Sequence, residues 1–433
     1  MLKRKVYDEL LNWKKNKKNE CLLVKGARQI GKTYIIREFG KTNYKYFYEL
    51  NFIQNPEYKD IFNNSLKSDD ILAFISLKVQ NFVLEPNNTL IFLDEIQECP
   101  NARTSMKFLA SDDRYDVICS GSLLGINYKD VVSYPVGFGP HLEMHSLDFE
   151  EFLWAKGINQ ESIQNVKKYF INREQVPSFI NNTMFDYLKE YIIVGGMPDV
   201  VLSFITDKNF NKVHAAQQKI LDDYEMDVKK YASINEKPKI RNVYYSIPNQ
   251  LAKENKKFMY SVIDKKSSAR KYENSLEWLR DANLIKFCYN VTTPTYPLIT
   301  YEKDNEFKIY AHDIGLLVFM YGFQMKNIIM NNLLVGNAKG AIYESLIADI
   351  FIKKKYPLNY YKKSNSTQEI EFLISDNSGN IIPYEIKASN KFSISLNEYL
   401  DKSDVPYGYK LITGNLGVSD KKITIPLYMA MFL

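Results

Sequence analysis

The stretch GARQIGKT, residues 26–33, constrains the fold of this 433-residue chain more than any other. It fits the pattern G-x-x-x-x-G-K-[ST], in which a glycine-rich loop surrounds phosphate groups. The apolar run CLLV precedes it, and the apolar residues of YIIREF recur at helical spacing after it. This order predicts a buried strand, a tight turn and a helix, as the pattern requires. An ordinary strand–turn–helix is the alternative, and the joint presence of Lys32 and Thr33 disfavours it.

The chemistry of this stretch predicts a bound nucleotide. Glycines allow backbone N–H groups to point at phosphate oxygens, and the N-terminus of the following helix adds positive potential. We expect Lys32 to reach the β- and γ-phosphates and the Thr33 hydroxyl to hold Mg²⁺. The predicted nucleotide-binding residues are Gly26, Ala27, Arg28, Gln29, Ile30, Gly31, Lys32 and Thr33. ATP and Mg²⁺ are therefore the expected cofactors.

A second motif, LIFLDE at residues 90–95, is an apolar run that ends in two acids. The apolar part predicts a buried strand. We expect Asp94 to act on the metal through a water molecule and Glu95 to polarise the attacking water. A strand that merely ends in a charged loop would explain this motif alone, but it explains it poorly at this distance after GARQIGKT.

A third apolar run, residues 117–119, ends at Ser120. A hydroxyl there, beside the γ-phosphate, can report the presence of that phosphate, so Ser120 is a third predicted catalytic residue. A plain strand end is the alternative. Arg103 and Arg114 are candidates for the positive charge that a neighbouring subunit often supplies in phosphoryl transfer, although most surface arginines are simply solvated.

The segments GARQIGKT, LIFLDEIQ and ICSGSLLG, in this order, resemble the AAA-family ATPases of bacteria and archaea that carry a C-terminal domain of unknown function. Weaker matches continue along nearly the whole chain and keep the family order. They are HSLDFEEFLWA (145–155), YIIVGGMPDVV (191–201), NSLEWLRDANLI (274–285), FKIYAHDIGLL (307–317), EIEFLI (369–374) and YEIKAS (384–389).

The resemblance implies three parts: an ATP-binding P-loop domain, a helical and winged-helix-like part, and a core similar to the PD-(D/E)XK nucleases. One departure is visible at Gly137, which Phe138 follows where many relatives have a basic residue. If that basic residue senses nucleotide or a neighbouring subunit, this chain uses another group or lacks the response.

The middle of the chain carries a cluster of positive charge between Leu251 and Lys271. It contains seven cations against Glu254 and Asp264, next to a predicted helix–turn–helix and an apolar strand. The cations are Lys253, Lys256, Lys257, Lys265, Lys266, Arg270 and Lys271. Such a cluster suits DNA phosphates. A lysine-rich solvated surface is an equally weighted alternative.

In the C-terminal third, DNSGN is a turn signal between two apolar runs, which predicts a β-hairpin. A hairpin centred on residue 377 or 378 places Glu371 opposite Glu385, and Lys387 shares a face with Glu385. Facing carboxylates repel each other, and a divalent metal between them removes that cost. Lys387 can then position or activate a water for phosphodiester attack.

Glu344, on the preceding predicted helix, completes this candidate metal cluster of Glu344, Glu371 and Glu385. By resemblance it is the PD-(D/E)XK arrangement, with Glu371 where many nucleases have Asp. An exposed E-x-K on a strand is common, however, and nuclease-like folds also serve as binding platforms. Contact with DNA or RNA without cleavage therefore stays open beside nuclease activity.

Composition sets the remaining limits. Lys and Arg number 57 against 51 Asp and Glu, and the net charge of +6 permits a nucleic-acid partner without requiring one. The four cysteines are scattered, which favours reduced thiols in a cytosol over a disulfide or zinc framework. No apolar run of about 18 residues occurs, so we expect a cytoplasmic protein and no membrane partner.

The sequence therefore predicts a multidomain α/β protein with a parallel sheet. Its expected parts are an AAA-like P-loop ATPase at 1–155, a helical and winged-helix-like region at 156–300, and an α/β restriction-endonuclease-like domain at 301–433. The expected function is an ATPase whose nucleotide state controls engagement of nucleic acid. The alternative is a nucleotide-dependent switch that binds a protein partner through an inactive nuclease-like domain. A homo-oligomer is compatible with both.

Overall fold

The computed structural model describes residues 2–123, 139–265, 268–363, 368–387 and 393–433. Gly137, Phe138 and Lys266 lie outside the described residues. The chain divides into two compact units. The smaller comprises Arg4–His145 and Trp278–Leu284, and the larger comprises Met1–Lys3, Ser146–Glu277 and Ile285–Leu433.

The smaller unit alternates helices and strands. In chain order its elements are α1 (Val6–Asn16), β1 (Leu22–Lys25), α2 (Lys32–Asn43), β2 (Tyr46–Asn51), α3 (Ser68–Lys78), β3 (Thr89–Asp94), α4 (Pro100–Leu109), β4 (Asp116–Gly121) and β5 (His141–Glu143). The described strands form a parallel sheet in the order β2-β3-β4-β1-β5. Because all strands are parallel, their carboxyl ends meet at one edge, where open α/β sheets bind ligands. The predicted α/β fold with a parallel sheet is confirmed.

Apolar runs explain how this sheet is built. Every residue of β3 and β4 is buried, as expected for parallel strands covered on both faces. One face packs on α3 and α4 around a core that includes Ile71, Ile91 and Met106. On α2, the buried residues Ile35, Ile36 and Phe39 recur at helical spacing.

The larger unit begins with helices and ends with a mixed sheet. Its first part contains α5 (Phe149–Ala155), α6 (Gln160–Asn172), α7 (Ser178–Val194), α8 (Pro198–Asp207), α9 (Phe210–Tyr231), α10 (Lys237–Leu251), α11 (Tyr260–Ile263) and α12 (Ala269–Asp281) up to Glu277, after which α12 belongs to the smaller unit. It continues with β6 (Ile285–Val291), β7 (Glu302–Ala311), α13 (Ile314–Met320), α14 (Met325–Met330), α15 (Gly336–Lys353), β8 (Asn359–Lys362), β9 (Glu369–Ser375), β10 (Ile381–Lys387), α16 (Ile394–Lys402), β11 (Gly408–Ile412), β12 (Gly417–Ser419) and β13 (Lys422–Pro426).

The described strands of this unit form one sheet in the order β12-β13-β11-β10-β9-β8-β6-β7. Helix α15 packs against β7 and β10. The sequence predicts a helix, a turn, a second helix and an apolar strand here, and the structure has α10, the short α11, α12 and β6. Strand β6 pairs with β7 and also, in parallel, with β8, and the winged helix stays a prediction. The sheet thus runs across the predicted limit at residue 300, and the limits at 155 and 300 stay predictions. None of the described helices combines the length and the apolar composition needed to cross a bilayer.

Candidate nucleotide-binding site and a second charged centre

The GARQIGKT stretch connects β1 to α2, so it lies at the carboxyl edge of the parallel sheet. Helix α2 begins at Lys32 and directs its first backbone N–H groups toward this loop. Gly26 has φ of +153°, and a Cβ there would lie 2.2 Å from the carbonyl oxygen of Met144. Only glycine fits this approach, so the loop depends on the backbone at the end of β5 as well as on its own sequence.

Lys32 lies over the loop. Its ammonium donates hydrogen bonds to the carbonyl oxygens of Gly26 at 3.0 Å and Ala27 at 2.7 Å. The side chain is buried. These contacts hold the cation beside the backbone that is predicted to surround phosphate, where an incoming γ-phosphate offers a stronger, charged acceptor.

Asp94 is the point at which the predicted residues meet. Its buried carboxylate accepts hydrogen bonds from the Thr33 hydroxyl at 3.0 Å and from the Ser120 hydroxyl. The Asn51 side-chain amide donates a third at 2.8 Å. Burial raises the pKa of the Asp94 carboxyl, and the hydrogen bonds from Ser120 and Thr33 oppose that rise. The structure therefore brings together three predicted residues that are far apart in the chain.

Sequence reasoning missed Asn51, although a signal existed. Asn51 ends β2 in register with Asp94 on β3, so both residues lie at the same edge of the sheet. A polar residue at the end of a third parallel strand is the pattern that located Ser120. Asn51 was missed because the YFYEL run of β2 is less uniformly apolar than the LIFL run of β3.

Glu95, the predicted catalytic base, has a left-handed backbone with φ of 57° and ψ of 47°. This conformation is uncommon for a residue with a side chain and is concentrated at functional sites. The Gln97 side chain donates a hydrogen bond of 2.6 Å to its carboxylate. The contact with Gln97 thus fixes the Glu95 carboxylate directly after Asp94 in the chain.

The donors at this edge fit Mg²⁺, which prefers oxygen ligands and keeps several of its waters. Thr33 offers a hydroxyl and Asp94 a carboxylate, already 3.0 Å apart. Within the part of the chain that the structure describes, no group of three or more His, Cys, Asp or Glu side chains is arranged to hold a metal ion. A nucleotide-bound Mg²⁺ does not need such a group, because phosphate oxygens and waters complete its shell.

The two candidate arginines lie in different surroundings. Arg114 is paired with Asp112 and Asp69 at 2.6 Å each, and the hydrogen bonds that it donates to Asp112 are the main cause of its raised pKa. Arg103 on α4 is buried. Because Arg114 is paired with two acids and Arg103 is buried, a catalytic role of either arginine in a neighbouring subunit stays a prediction.

The second charged centre lies in the larger unit, on β9 and β10. Strand register pairs Tyr384 with Phe372, and one further step places Glu385 opposite Glu371, as the hairpin prediction has it. The Lys387 ammonium lies 3.2 Å from Glu385 Oε1 and 3.7 Å from Glu371 Oε1. Both Glu385 oxygens and Glu371 Oε2 are buried and accept no hydrogen bond from the described residues. These acceptors fit a cation.

Glu344 does not join this pair as a third open ligand. Its buried carboxylate is bound by the Lys256 ammonium, by the Lys308 ammonium at 2.8 Å and by the Tyr310 hydroxyl. Burial alone would raise its pKa, but Lys256 and Lys308 outweigh burial and lower it to about 2. The sequence assigns Glu344 to a metal; in the structure, two ammonium groups hold the carboxylate, because β7 carries Lys308 to a position beneath α15.

The same contact changes the basic cluster of the middle region. Lys256 is committed to the buried Glu344, Lys257 lies 3.5 Å from Glu306, and Lys271 lies 2.6 Å from Asp264. Of the described cations, Lys265, Arg270 and Lys271 are exposed, and Lys271 is the one of these three that pairs with Asp264. Seven cations minus two acids give this segment a net charge of +5 in the sequence. The positive charge that remains exposed for a nucleic acid is therefore smaller than that net charge indicates.

Comparison with known protein families gives matches to three segments of the chain. Residues 18–153 match the model described as AAA domain, residues 185–327 match a domain of unknown function (DUF8612), and residues 339–430 match another (DUF4143). A search of curated protein sequences gave no match. The chain therefore contains an AAA-type P-loop ATPase domain, followed by two segments that match domains of unknown function.

Similar solved structures include the Walker-type ATPase PABY2304 of Pyrococcus abyssi, at 13% identity and a TM-score of 0.44, over 74% of this chain and 96% of that one. The Aeropyrum pernix Orc1 protein in complex with DNA is similar at 12% identity and a TM-score of 0.27, over 81% and 92%. Cdc6p from Pyrobaculum aerophilum is similar at 12% and 0.25, over 76% and 93%. At these scores the likeness does not extend to function.

The raised pKa of Glu371 predicts how the free energy of unfolding depends on pH. Burial raises it from 4.5 to about 7, Lys387 opposes the rise, and Glu344, Glu385 and Glu369 add to it. A carboxyl with a raised folded-state pKa destabilises the fold progressively as pH rises from the unfolded pKa to the folded one. The Glu371→Gln variant should therefore gain up to about 3 kcal/mol relative to wild type between about pH 5 and pH 8.

Urea unfolding at both pH values measures this difference. Glu254→Gln, at an exposed position, is the matched control and should follow wild type. Parallel pH profiles for wild type and Glu371→Gln would contradict the assignment.

Proposed function

We propose that this protein binds Mg–ATP in the loop 26–33 and hydrolyses it, and that the nucleotide state controls how the larger unit engages nucleic acid. The observation that carries the proposal is the convergence of Thr33, Ser120 and Asn51 on the buried Asp94 carboxylate, at the end of the phosphate loop. Burying a carboxylate among polar side chains from three strands and a helix costs stability. Such clusters are concentrated at functional sites, and binding of a Mg–nucleotide is a function that fits these side chains.

Each residue of the site has a distinct part in this proposal. The backbone N–H groups of residues 26–33 bind the phosphates, and Lys32 exchanges its two carbonyl acceptors for phosphate oxygens. Thr33 and, through a water molecule, Asp94 would hold Mg²⁺, which would supply positive charge beside the phosphates. Glu95 orients and polarises the attacking water. Ser120 shares the Asp94 carboxylate, so its hydroxyl is released or retained according to what Asp94 binds.

Two substitutions separate nucleotide binding from hydrolysis. Lys32→Ala removes the cation over the loop and should weaken binding of a fluorescent ATP analogue at least about tenfold. Glu95→Gln should leave binding within about twofold and lower the turnover by about 10²-fold or more, since it removes the base only. The matched control is Glu98→Gln, in the same turn, where Glu98 pairs with Lys59 at 3.4 Å.

Equal loss of turnover in Glu95→Gln and Glu98→Gln would show that the turn, and not the Glu95 carboxylate, is responsible. Hydrolysis that persists in Lys32→Ala would identify a contaminating ATPase.

The proposal for nucleic acid rests on the exposed part of the basic cluster. Lys265 and Arg270 flank the start of α12, and each lost phosphate contact lowers the slope of log affinity against log salt by about one. The double variant Lys265→Ala/Arg270→Ala should weaken binding to double-stranded DNA and lower the slope by about two. Fluorescence anisotropy at several salt concentrations, with and without a non-hydrolysable ATP analogue, measures both quantities.

The double variant Lys219→Ala/Lys229→Ala, at exposed positions on α9, removes the same charge elsewhere. If it weakens binding equally, the affinity reflects net charge alone. If wild type does not bind DNA at low salt, nucleic-acid engagement is wrong for this cluster.

A second candidate function is a nucleotide-dependent switch that binds a protein partner through a catalytically inactive nuclease-like region. The observation that favours it is the commitment of Glu344 to Lys256 and Lys308, which leaves a candidate metal with Glu371 and Glu385, both already beside Lys387. If Glu385 and Lys387 belong to an active nuclease site, Glu385→Ala and Lys387→Ala should abolish metal-dependent DNA cleavage. Equal cleavage by wild type and both variants means contamination. If wild type neither cleaves DNA nor binds it at low salt, the switch is favoured.

A further inference from the structure

Arg4 connects the phosphate loop to the end of β5. Its Nη1 donates a hydrogen bond to the Ile30 carbonyl oxygen at 3.1 Å, and its Nη2 donates one to the His145 carbonyl oxygen at 2.6 Å. The guanidinium is buried, and its donors have fixed directions. A single side chain thus satisfies two backbone carbonyls from separate parts of the smaller unit.

The backbone beside His145 holds the other end of the same loop. The Met144 N–H donates to the Lys25 carbonyl oxygen at 2.8 Å. The Met144 carbonyl oxygen is the atom that leaves no room for a Cβ at Gly26. The Met144 backbone therefore contacts the first residue of the loop, Gly26, directly. His145 is linked to Ile30, near the end of the loop, through Arg4.

The larger unit begins at the next residue, Ser146, and this side of the junction is equally fixed. The Ser146 hydroxyl donates to Asp313 at 2.8 Å, and the Leu147 N–H donates to the Gly196 carbonyl oxygen at 2.7 Å. The Gly196 N–H donates to Asp313 at 2.8 Å. A Cβ on Gly196 would lie 2.0 Å from the Leu147 carbonyl oxygen, so the two backbones are in close contact.

We propose that Arg4 is a positioning residue that transmits nucleotide occupancy of the loop 26–33 to the contacts of Ser146 and Leu147 in the larger unit. The inference rests on the proposed function and names the route by which nucleotide state reaches that unit. Phosphate binding fixes the peptide planes of the loop, including the one that carries the Ile30 carbonyl. In this route, a shift of that carbonyl passes through Arg4 to the His145 carbonyl and then along the chain to the Ser146 and Leu147 contacts.

Hydrogen exchange of the full chain, with and without a saturating non-hydrolysable ATP analogue, tests this route. In wild type, the analogue should change the exchange rates of the Leu147 and Gly196 amides at least about fivefold. In Arg4→Met, at an analogue concentration raised to saturation, the loop amides should still be protected while the change at Leu147 and Gly196 is lost. Arg4→Lys should retain part of the change, because one ammonium cannot reach both carbonyls in the same geometry.

Two further variants keep the test independent of a folding defect. Arg37→Met removes an arginine of the same unit that makes two hydrogen bonds of 2.6 Å to Glu49, and it should behave like wild type. Ser146→Ala leaves the Arg4 contacts in place, so it should bind the analogue with wild-type affinity and show a smaller change at Gly196.

The outcomes separate this inference from the proposed function. If wild type binds the analogue without any change at Leu147 and Gly196, or if Arg4→Met keeps that change, the Arg4 route is overturned while nucleotide binding stands. If wild type does not bind the analogue, the proposed function and the route both fail.

Discussion

The candidate nucleotide site depends on one buried carboxylate, that of Asp94. An ionised carboxylate that is buried without partners costs several kcal/mol, so it requires donors. The chain supplies them from three elements: Asn51 from β2, Thr33 from α2 and Ser120 from β4. These donors reach Asp94 because β3 lies between β2 and β4 in a parallel sheet. The strand order is therefore a condition of the site as well as a property of the fold.

The larger unit solves the same physical problem in another way. Glu344 is as deeply buried as Asp94, but its partners are the ammonium groups of Lys256 and Lys308. Neutral donors leave the charge of Asp94 available to a cation, whereas two lysines already neutralise Glu344. Removing Lys308 would leave Glu344 with Lys256 as its one cation among the described residues and Glu369 with Lys362, so part of the charge compensation inside the unit would be lost. The lysines therefore stabilise the fold at the position where a hydrolytic metal centre would need an open ligand.

Local sequence signals predicted much of this arrangement. The GARQIGKT and LIFLDE patterns located the loop and Asp94, and the DNSGN turn gave the register that sets Glu371 opposite Glu385. The remaining contacts join residues that are distant in the chain. Lys308 reaches Glu344 across 36 positions, and Arg4 reaches His145 across 141. No periodicity or turn signal encodes such pairs, because they follow from the sheet order and from the packing of α15 on β7.

The charge balance of the second centre follows from these long-range contacts and bears on its role. The side chains that interact there are the acids Glu344, Glu369, Glu371 and Glu385 and the lysines Lys256, Lys308, Lys362, Lys387 and Lys410. Burial raises the pKa of Glu371 to about 7, so its charge changes near neutral pH while Lys387 lies beside it. Glu344, Lys308 and Glu385 are buried, so these charges compensate one another inside the unit rather than forming a surface for a polyanion. A divalent cation at Glu371 and Glu385 is therefore favoured only as pH rises through that pKa and Glu371 loses its proton.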